Sequence, residues 1–381
     1  MRWRVFTTLA AATVIVATGG CGGGSQSMPP GNIGISAITG PDHLQIGVSS
    51  PATFLYSATV TGSSDTSVEW SVDDPSLATI SAGGVATPSA TKTGTVTITA
   101  TAHADAAKKA TLKVKVVDWI LTGLGVLLIN SDGTGPVVLF PLTQQLYGFC
   151  SWSYDHLAFV CANLLTTFSP QQFFIFQTDG TAAGTKLVKT LEMGATGDPV
   201  IIENPGFSPD GTKIVFEGVA ADLSLGVYVV NADGASAPVL LASDPDIADD
   251  YLSAPRFSPD GNSILYASNA TVWIMDADGT NQRQLVSAPS LDAMYSPDMQ
   301  TVYYNGLGAF GSATGNVFRA GANGANAVEI GVAGDRLADV SPNGNSILFV
   351  NLSTPTTSGN FTANPDGSNR RQVPGAGWAT W

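Results

Sequence analysis

The sequence of 381 residues is poor in charged side chains, which make up only 12% of it. Helical bundles are normally rich in Lys and Glu, so this scarcity counts against a helical fold. Gly and Pro are frequent and separate short runs of Val, Ile, Phe and Tyr. That spacing is typical of many short strands. The composition therefore predicts an all-β protein, and the length predicts more than one domain.

Basic residues are also scarce, with 16 Lys and Arg against 30 Asp and Glu and a formal net charge of −14. Beyond the N-terminus they form only short pairs, such as Lys108–Lys109 and Arg370–Arg371. Binding to nucleic acid requires clustered cations that neutralise phosphates. We therefore expect no nucleic-acid partner, and an acidic surface that keeps a monomer in solution.

Histidine is rarer still, with only His43, His103 and His156 in the chain. The sequence contains no Gly-x-Ser-x-Gly segment, the turn that carries the nucleophile of α/β-hydrolases. Because no motif places a base beside a nucleophile, we expect a protein that is not an enzyme.

The N-terminus has the features of a signal peptide over residues 1–20. Arg2 and Arg4 precede an apolar run at residues 5–17 that is too short to span a bilayer. The segment ends in Thr18 and two glycines, directly before Cys21. Signal peptides of this kind are removed from the mature protein.

The small-small-Cys ending resembles the bacterial lipobox, in which the cysteine becomes the lipidated first residue. Thr18 departs from that pattern, which usually has Leu there. The resemblance implies an exported lipoprotein, anchored through Cys21 in the outer membrane or at the cell surface, on the periplasmic or extracellular face. The alternative is ordinary cleavage nearby, which leaves Cys21 as a free thiol. An exposed lone thiol is prone to oxidation, which favours lipidation.

Residues 21–34 hold Gly, Ser, Gln and Pro with hardly an apolar side chain, which predicts a flexible tether. Residues 35–117 alternate short strands with turns, as β-sandwiches do. Within residues 95–100 the alternation directs Val96 and Ile98 inward. The alternation at residues 52–60 predicts a further strand, with one face formed by Phe54, Tyr56, Ala58 and Val60.

Residues 68–80 read Val-Glu-Trp-Ser-Val-Asp-Asp-Pro-Ser-Leu-Ala-Thr-Ile, and Gly-Val-Ala follows at 84–86. Together with Lys-Thr-Gly-Thr-Val-Thr-Ile-Thr-Ala at 92–100, this order resembles the bacterial Ig-like group 2 domain. The resemblance implies an Ig-like sandwich with Trp70 in its core. The antibody disulfide is missing because residues 35–117 contain no cysteine. The family is an adhesive and spacer module in many proteins, so it indicates fold rather than function.

From Asp118 onward the sequence repeats a Ser-Pro-Asp-Gly turn between an aromatic residue and an alternating strand. Pro presets φ in such a turn, Asp bonds nearby backbone, and Gly accepts a positive φ. The Ile-x-Phe or Ile-x-Tyr that follows predicts two side chains packed between neighbouring sheets. The copies begin at Phe207, Phe257, Tyr295 and Val340, and a degenerate copy begins at Trp152.

A second turn, Asp-Gly or Asn-Gly, occurs six times at separations of 47, 54, 45, 45 and 43 residues. Blades of repeat propellers run ~40–45 residues, so one four-stranded sheet per copy predicts a six-bladed β-propeller over residues 118–381. The six copies begin at Asp132, Asp179, Asp233, Asp278, Asn323 and Asp366.

The repeat pattern leaves the first blade one strand short, and the last residues of the chain could supply that strand. Residues 377–381, Gly-Trp-Ala-Thr-Trp, look like a truncated copy of residues 147–152. We expect residues 378–381 to lie beside residues 119–122, which closes the ring and removes an open sheet edge.

The repeats resemble the TolB-like propeller family, with Asp-Ala-Asp-Gly-Thr-Asn at 276–281 and Asn-Pro-Asp-Gly-Ser-Asn at 364–369. The resemblance covers about residues 118–381 and implies a propeller. TolB carries an α/β domain before its propeller and works in a periplasmic envelope complex. Here an Ig-like domain takes that place, so the resemblance does not imply a role in the Tol system. Some peptidases of this kind add an α/β-hydrolase domain, which we do not expect here.

Two groups of aspartates are candidate calcium ligands. Asp276 and Asp278 resemble the start of a calcium loop, but Ile274 stands where a further acid is needed, so a hairpin turn is the better interpretation. A denser cluster could hold a hard cation through its oxygens, although solvated loops are the commoner case. We expect no cofactor and retain calcium as the alternative at this cluster, Asp244, Asp246, Asp249 and Asp250.

Cys150 and Cys161 flank the Tyr154-Asp155-His156 turn. If Asp155 and His156 are the two turn residues, the cysteines lie directly opposite each other and can form a disulfide in an exported protein. A longer turn shifts the register and leaves two buried thiols.

We expect binding sites in the loops that interrupt the repeat. Three functions fit: an envelope-anchored binding protein whose propeller recognises a protein or glycan, with the Ig-like domain as spacer; an enzyme, such as a lyase or metal-dependent hydrolase, at the channel mouth; or an adhesive protein contacting polysaccharide. The first agrees best with the tether and the missing catalytic motifs. The loops are residues 163–172, 190–205, 243–255, 305–316 and 351–360.

Overall fold

The computed structural model describes residues 32–46, 54–123, 126–132, 134–140, 147–163, 171–193, 198–199, 201–244, 254–306, 316–351, 359–374 and 379–381. These residues form β-strands and connecting turns without a helix, so the all-β prediction is confirmed. Accordingly, the described part of the chain has no helix long and apolar enough to cross a membrane.

The N-terminal part is an Ig-like sandwich. Its four-stranded sheet has the order β2-β8-β7-β4, in which β2 runs parallel to β8, and β1-β3 and β5-β6 form two-stranded sheets. The strands are β1 (Gly34–Ile35), β2 (His43–Gln45), β3 (Val60–Thr61), β4 (Val68–Val72), β5 (Ala78–Ile80), β6 (Ala86–Pro88), β7 (Gly94–Ala102) and β8 (Asp105–Val117).

The core of the sandwich follows the predicted alternation. Val96 and Ile98 are fully buried, whereas Trp70 is only partly buried at the edge of the core. The strand predicted over residues 52–60 is wrong in its described part. Burial alternates from Phe54 to Val60, but only Val60 lies in a strand, β3. Before it the backbone makes two isolated bridges, from Leu55 to Val85 and from Ser57 to Thr39.

Six four-stranded antiparallel sheets follow within the described residues, which we number sheets 1 to 6 in chain order. Sheet 1 holds β9 (Trp119–Thr122), β10 (Leu127–Asn130) and β11 (Val137–Val138). Sheet 2 holds β12 (Tyr147–Trp152), β13 (Ala158–Asn163), β14 (Gln171–Gln177) and β15 (Lys186–Met193). Sheet 3 holds β16 (Ile201–Phe207), β17 (Lys213–Val219), β18 (Leu225–Asn231) and β19 (Val239–Asp244).

Sheet 4 holds β20 (Arg256–Phe257), β21 (Ser263–Ser268), β22 (Thr271–Asp276) and β23 (Arg283–Val286). Sheet 5 holds β24 (Ser290–Tyr295), β25 (Thr301–Gly306), β26 (Asn316–Gly321) and β27 (Val328–Glu329). Sheet 6 holds β28 (Asp335–Val340), β29 (Ile347–Asn351), β30 (Gly359–Ala363) and β31 (Arg371–Val373).

Sheet 1 is completed by the last strand of the chain, β32 (Ala379–Thr380). Ala379 pairs with Thr122 and Thr380 with Leu121 in antiparallel register. Sheet 1 therefore has the same strand pattern as the others, with β32 in the position that β12 takes in sheet 2. The predicted closure is confirmed for these residues; Trp378 lies outside the described residues.

The Ser-Pro-Asp-Gly turns share one hydrogen-bond pattern. In the copy at 208–213, the Ser208 hydroxyl donates to Asp210 at 2.6 Å and accepts from the Lys213 amide at 2.9 Å. The degenerate copy repeats this, since Ser153 donates to Asp155 at 2.5 Å and accepts from the Ala158 amide at 3.1 Å. His156 takes the left-handed conformation that glycine has in three other copies and Met299 in the fourth, with φ of 55°. The degenerate copy is thus a true member of the repeat.

The alternating strand after each turn builds the layers between sheets, as predicted. Ile214 and Phe216 of sheet 3 pack with Val160 and Phe173 of sheet 2 in one buried cluster. The same pair of positions in sheet 6 packs against Tyr303 of sheet 5. Each sheet therefore buries its second strand against the preceding sheet, which holds the first strands around a common centre.

Candidate functional site

A cavity of about 380 Å³ lies where the first strands of the sheets meet, at the end that carries the Ser-Pro-Asp-Gly turns. Its volume falls within the range of about 300–1,000 Å³ common for ligand pockets. Each turn contributes its second residue to the wall, a proline in four copies and a tyrosine in the degenerate one: Tyr154, Pro209, Pro259, Pro297 and Pro342. The repeat thus places an apolar rim around the cavity.

Below this rim, the wall is formed by the residue that precedes the first aromatic or apolar position of each repeat. These residues are neither turn-forming nor periodic, so the sequence pattern did not mark them. Aligning the copies one position earlier would have found the only two charged residues among them, Arg256 and Asp339. The full set is Ser151, Gly206, Arg256, Met294 and Asp339.

Arg256 is the cation of the cavity wall. One guanidinium NH donates to the Ser151 hydroxyl at 3.1 Å, from sheet 4 to sheet 2. Its Nε is buried and has no hydrogen-bond partner among the described residues. No carboxylate of the described residues forms an ion pair with it. Arg256 therefore brings unused donors and a positive charge to the cavity.

Asp339 is the acid of the wall. One of its oxygens accepts from the Thr380 hydroxyl at 2.5 Å and from the Trp381 amide at 3.0 Å. The other accepts from the Val340 amide at 2.8 Å. Burial raises the pKa of Asp339, although the charge of Arg256 and these hydrogen bonds act against that rise. Its main contacts hold the closing strand to sheet 6.

Trp152 and His156 line the cavity beside each other, with ring centroids 5.3 Å apart in a stacked arrangement. Both are almost completely buried. Neither Trp152 Nε1 nor His156 Nδ1 has a hydrogen-bond partner among the described residues. Burial lowers the pKa of His156 to about 3, so its imidazole is neutral at physiological pH.

The Ig-like domain contacts the propeller next to this cavity. His43 Nε2 lies 2.9 Å from the His156 carbonyl oxygen, to which it donates, and the ring of His43 packs on Trp119 at 4.6 Å. Gln45 accepts from the Trp119 amide at 3.0 Å and donates to Asp118 at 3.2 Å. The two domains are thus joined by buried polar contacts.

Cys150 and Cys161 form a disulfide across β12 and β13, with Cα atoms 4.1 Å apart. They are directly paired in the strand register, as are Trp152 and Phe159. The turn spans residues 154–157 and is closed by the Ser153 amide, which donates to the Ala158 carbonyl at 2.8 Å. It is longer than two residues and still keeps the predicted register, so the expectation that a longer turn separates the cysteines is wrong. Cys21, the predicted lipidation site, lies outside the described residues.

Most of the aspartate cluster lies outside the described residues. Asp244 ends β19, and Asp246, Asp249 and Asp250 lie outside the described part of the chain. Within that part, no group of three His, Cys, Asp or Glu side chains has a metal-binding arrangement.

Asp276 and Asp278 use their carboxylates inside the hairpin turn. Asp278 accepts from the Thr280 amide at 3.0 Å, and Asp276 accepts from the Asn281 side chain at 2.6 Å. These contacts agree with a turn rather than a calcium loop.

The loops predicted to carry binding residues are shorter than expected. Residues 190–193 belong to β15 and residues 201–205 to β16, so the predicted loop at 190–205 is wrong at both ends. Apolar and polar residues alternate only weakly in these two segments, so the sequence pattern did not indicate strands there. All five segments follow a second strand or precede a first strand, so their described ends lie at the opposite end of the sheets from the cavity.

Comparison with known proteins supports both domains. Residues 45–114 match the family described as bacterial Ig-like domain (group 2). The chain is similar to TolB from Acinetobacter baumannii, with 13% identity over 76% of this chain and 80% of that chain and a TM-score of 0.54. For the putative TolB from Agrobacterium tumefaciens, the identity is 18%, the coverage 67% and 87%, and the TM-score 0.51.

A chain of the nidogen/laminin complex is also similar, at 10% identity over 69% of this chain and 96% of that chain, with a TM-score of 0.50. No curated protein matches the sequence. At such identities the likeness is one of fold. The predicted architecture, an Ig-like domain followed by a TolB-like β-propeller, is confirmed.

Proposed function

We propose that this protein is an exported, envelope-anchored binding protein without catalytic activity. Its propeller recognises a protein or glycan, and its Ig-like domain acts as a spacer between the propeller and a lipid anchor at Cys21. The observation that carries the proposal is the cavity at the centre of the propeller, with its apolar rim and few convergent polar groups.

The make-up of the wall supports recognition. Binding pockets are mostly apolar, and a small number of placed polar groups fix the orientation of the ligand. Here four prolines and Tyr154 form the rim, and Arg256, Trp152 and His156 supply nitrogen atoms below it. Neutral His156 has a low pKa and therefore suits hydrogen bonding better than proton transfer near pH 7.

The contacts between the domains support a spacer. His43 and Gln45 of the Ig-like domain hold Trp119, Asp118 and the turn at His156 through buried hydrogen bonds. Such contacts favour a fixed orientation over free rotation about a linker. A spacer of this kind sets the position of the cavity relative to the anchor.

A variant that fills the cavity tests the proposal. Gly206 lines the cavity, and a Cβ there meets no atom closer than 3.5 Å, so we choose Gly206→Phe to reduce the space in the cavity. Gly83→Phe is the matched control, since Gly83 is exposed in the Ig-like domain with open space around it. We expect the wild-type chain and the control to retain defined envelope proteins or arrayed glycans that Gly206→Phe loses. Equal retention by all three chains would contradict a role for the cavity.

Asp339 favours a second candidate, a lyase or metal-dependent hydrolase acting at the channel mouth. A carboxyl group with a raised pKa in a cleft, close to a guanidinium, is a common feature of active sites. An enzyme of this kind would lose turnover of a polysaccharide or ester panel in Asp339→Asn, with folding checked by circular dichroism. If the wild-type protein shows no turnover with or without added divalent metal, the enzyme candidate is rejected and the binding function is retained.

A further inference from the structure

Three residues that line one cavity each carry a buried nitrogen atom without a hydrogen-bond partner in the described residues. These atoms are Arg256 Nε, Trp152 Nε1 and His156 Nδ1. Buried polar atoms are nearly always hydrogen-bonded, because an unmade bond costs about 1–3 kcal/mol. Three such atoms around one cavity of about 380 Å³ indicate that something else supplies their partners.

The chemistry of these atoms selects the ligand. Arg256 Nε and Trp152 Nε1 can only donate, so both require acceptor oxygens. The nitrogen of neutral His156 donates or accepts according to its tautomer, which suits a hydroxyl group, since a hydroxyl does both. Arg256 adds a full positive charge, and a guanidinium matches a carboxylate in geometry and charge.

The acids near Arg256 do not form ion pairs with its guanidinium. Asp292 and Asp339 feel its charge, yet neither lies within ion-pair distance of it. The oxygens of Asp339 accept from Thr380, Trp381 and Val340 instead. Burial raises the pKa of both acids, and the charge of Arg256 acts against that rise.

From this arrangement, we infer that the channel cavity binds a small hydroxy acid, with its carboxylate on Arg256 and its hydroxyl oxygens on Trp152 and His156. The Ser151 hydroxyl orients the guanidinium through its hydrogen bond of 3.1 Å. The proline rings of the rim cover the carbon skeleton of the ligand. The inference rests on the proposed function, in that it takes this cavity as the binding site.

Matched pairs of compounds test the inference by thermal melting and titration calorimetry on the purified full chain. Each pair differs only in carboxylate against alcohol: gluconate and glucitol, glucuronate and glucose, lactate and propanediol. We expect at least one acid to raise the melting temperature in a concentration-dependent way. Its neutral counterpart should have no effect at the same concentration.

Arg256→Gln should weaken binding of that acid by about tenfold or more, since hydrogen bonds to a charged group are worth about 1.5–3 kcal/mol. Arg256→Lys keeps the charge and should retain part of the affinity. Partial binding by this variant would show that Arg256→Gln loses affinity through the missing charge and not through misfolding. Arg283→Gln, at an exposed arginine of the same sheet, is the matched control and should bind as the wild type does.

Three outcomes would overturn the inference: no acid binds at millimolar concentration, the alcohols bind as well as the acids, or Arg256→Gln binds with unchanged affinity. Failure of this inference can be distinguished from failure of the proposed function. If Gly206→Phe loses a protein or glycan partner but no hydroxy acid binds the wild type, only the hydroxy-acid assignment fails. If an acid binds through Arg256 and no partner is retained, only the wider recognition function fails.

Discussion

The indole nitrogen of Trp381 donates a hydrogen bond of 3.0 Å to Asp118, 263 positions earlier in the chain. Asp118 also accepts from Ser131 and, at 3.2 Å, from Gln45 of the Ig-like domain. One carboxyl group therefore connects the Ig-like domain, the first sheet of the propeller and the strand that closes the ring. Burial raises the pKa of Asp118, and these donors oppose that rise.

Trp381→Phe should destabilise the propeller by about 1–3 kcal/mol, because it removes a donor from a largely buried carboxyl group. Urea unfolding of the full chain measures this loss. Trp273→Phe is the matched control, since the Trp273 indole donates to the hydroxyl of Thr271, which is only partly buried. A loss no greater than that of the control would show that the contact with Asp118 contributes little.

Asp292 predicts a pH effect of known sign. Its pKa is raised above the ordinary value of 3.8, chiefly by burial. The folded protein therefore binds more protons than the unfolded chain in this window, and Asp292 lowers stability as pH rises from 3.8 through its folded pKa. Asp292→Asn removes this dependence. In urea unfolding, we expect the free energy of unfolding of the variant, relative to wild type, to be more favourable at pH 7 than at pH 4.

The opposite trend is expected at Asp222, whose pKa is lowered by hydrogen bonds from Ser224. Its contribution is present above pH 3.8 and is lost as pH falls. Asp222→Asn should therefore lower the free energy of unfolding, relative to wild type, more at pH 7 than at pH 3, where that contribution is being lost. If Asp292→Asn followed this same direction, burial would not be the dominant influence on Asp292.

The disulfide between Cys150 and Cys161 should be detectable by intact mass. The non-reduced protein is expected to be lighter than the reduced one by one hydrogen per cysteine, and alkylation should require reduction. The double variant Cys150→Ala, Cys161→Ala should lose about 2–4 kcal/mol of stability, mainly through the freer unfolded chain. Alkylation of both thiols in the unfolded, non-reduced protein would contradict the bridge.

Lipidation at Cys21 predicts membrane association. Each buried methylene adds about 0.8 kcal/mol, so several acyl chains hold a protein firmly in a bilayer. Cys21→Ser should move the protein to the soluble fraction and abolish labelling with palmitate. Ser25→Ala, in the adjoining tether, is the control and should leave both unchanged. Membrane association of the Cys21→Ser protein would point to ordinary cleavage and another means of attachment.

Features that depend on local patterns could be predicted from the order of the amino acids. Turn chemistry is local, so Ser-Pro-Asp-Gly marked the hairpins, and even the degenerate copy at Ser153 keeps the hydrogen bonds of the others. The strand period is local as well, which is why Val96, Ile98, Ile214 and Phe216 are buried as predicted. The position of the turn along the chain also decided which cysteines lie opposite each other.

The residues that meet at the centre of the propeller could not be predicted from local patterns, because the packing of the sheets brings them together. Arg256 and Asp339 are 83 positions apart by residue number and belong to different sheets, yet both line one cavity, because every sheet directs its first strand to the same centre. No local pattern marks a position by its distance from that centre. The same reason explains Asp118: its neighbours in sequence gave no sign that it would hold the last residue of the chain.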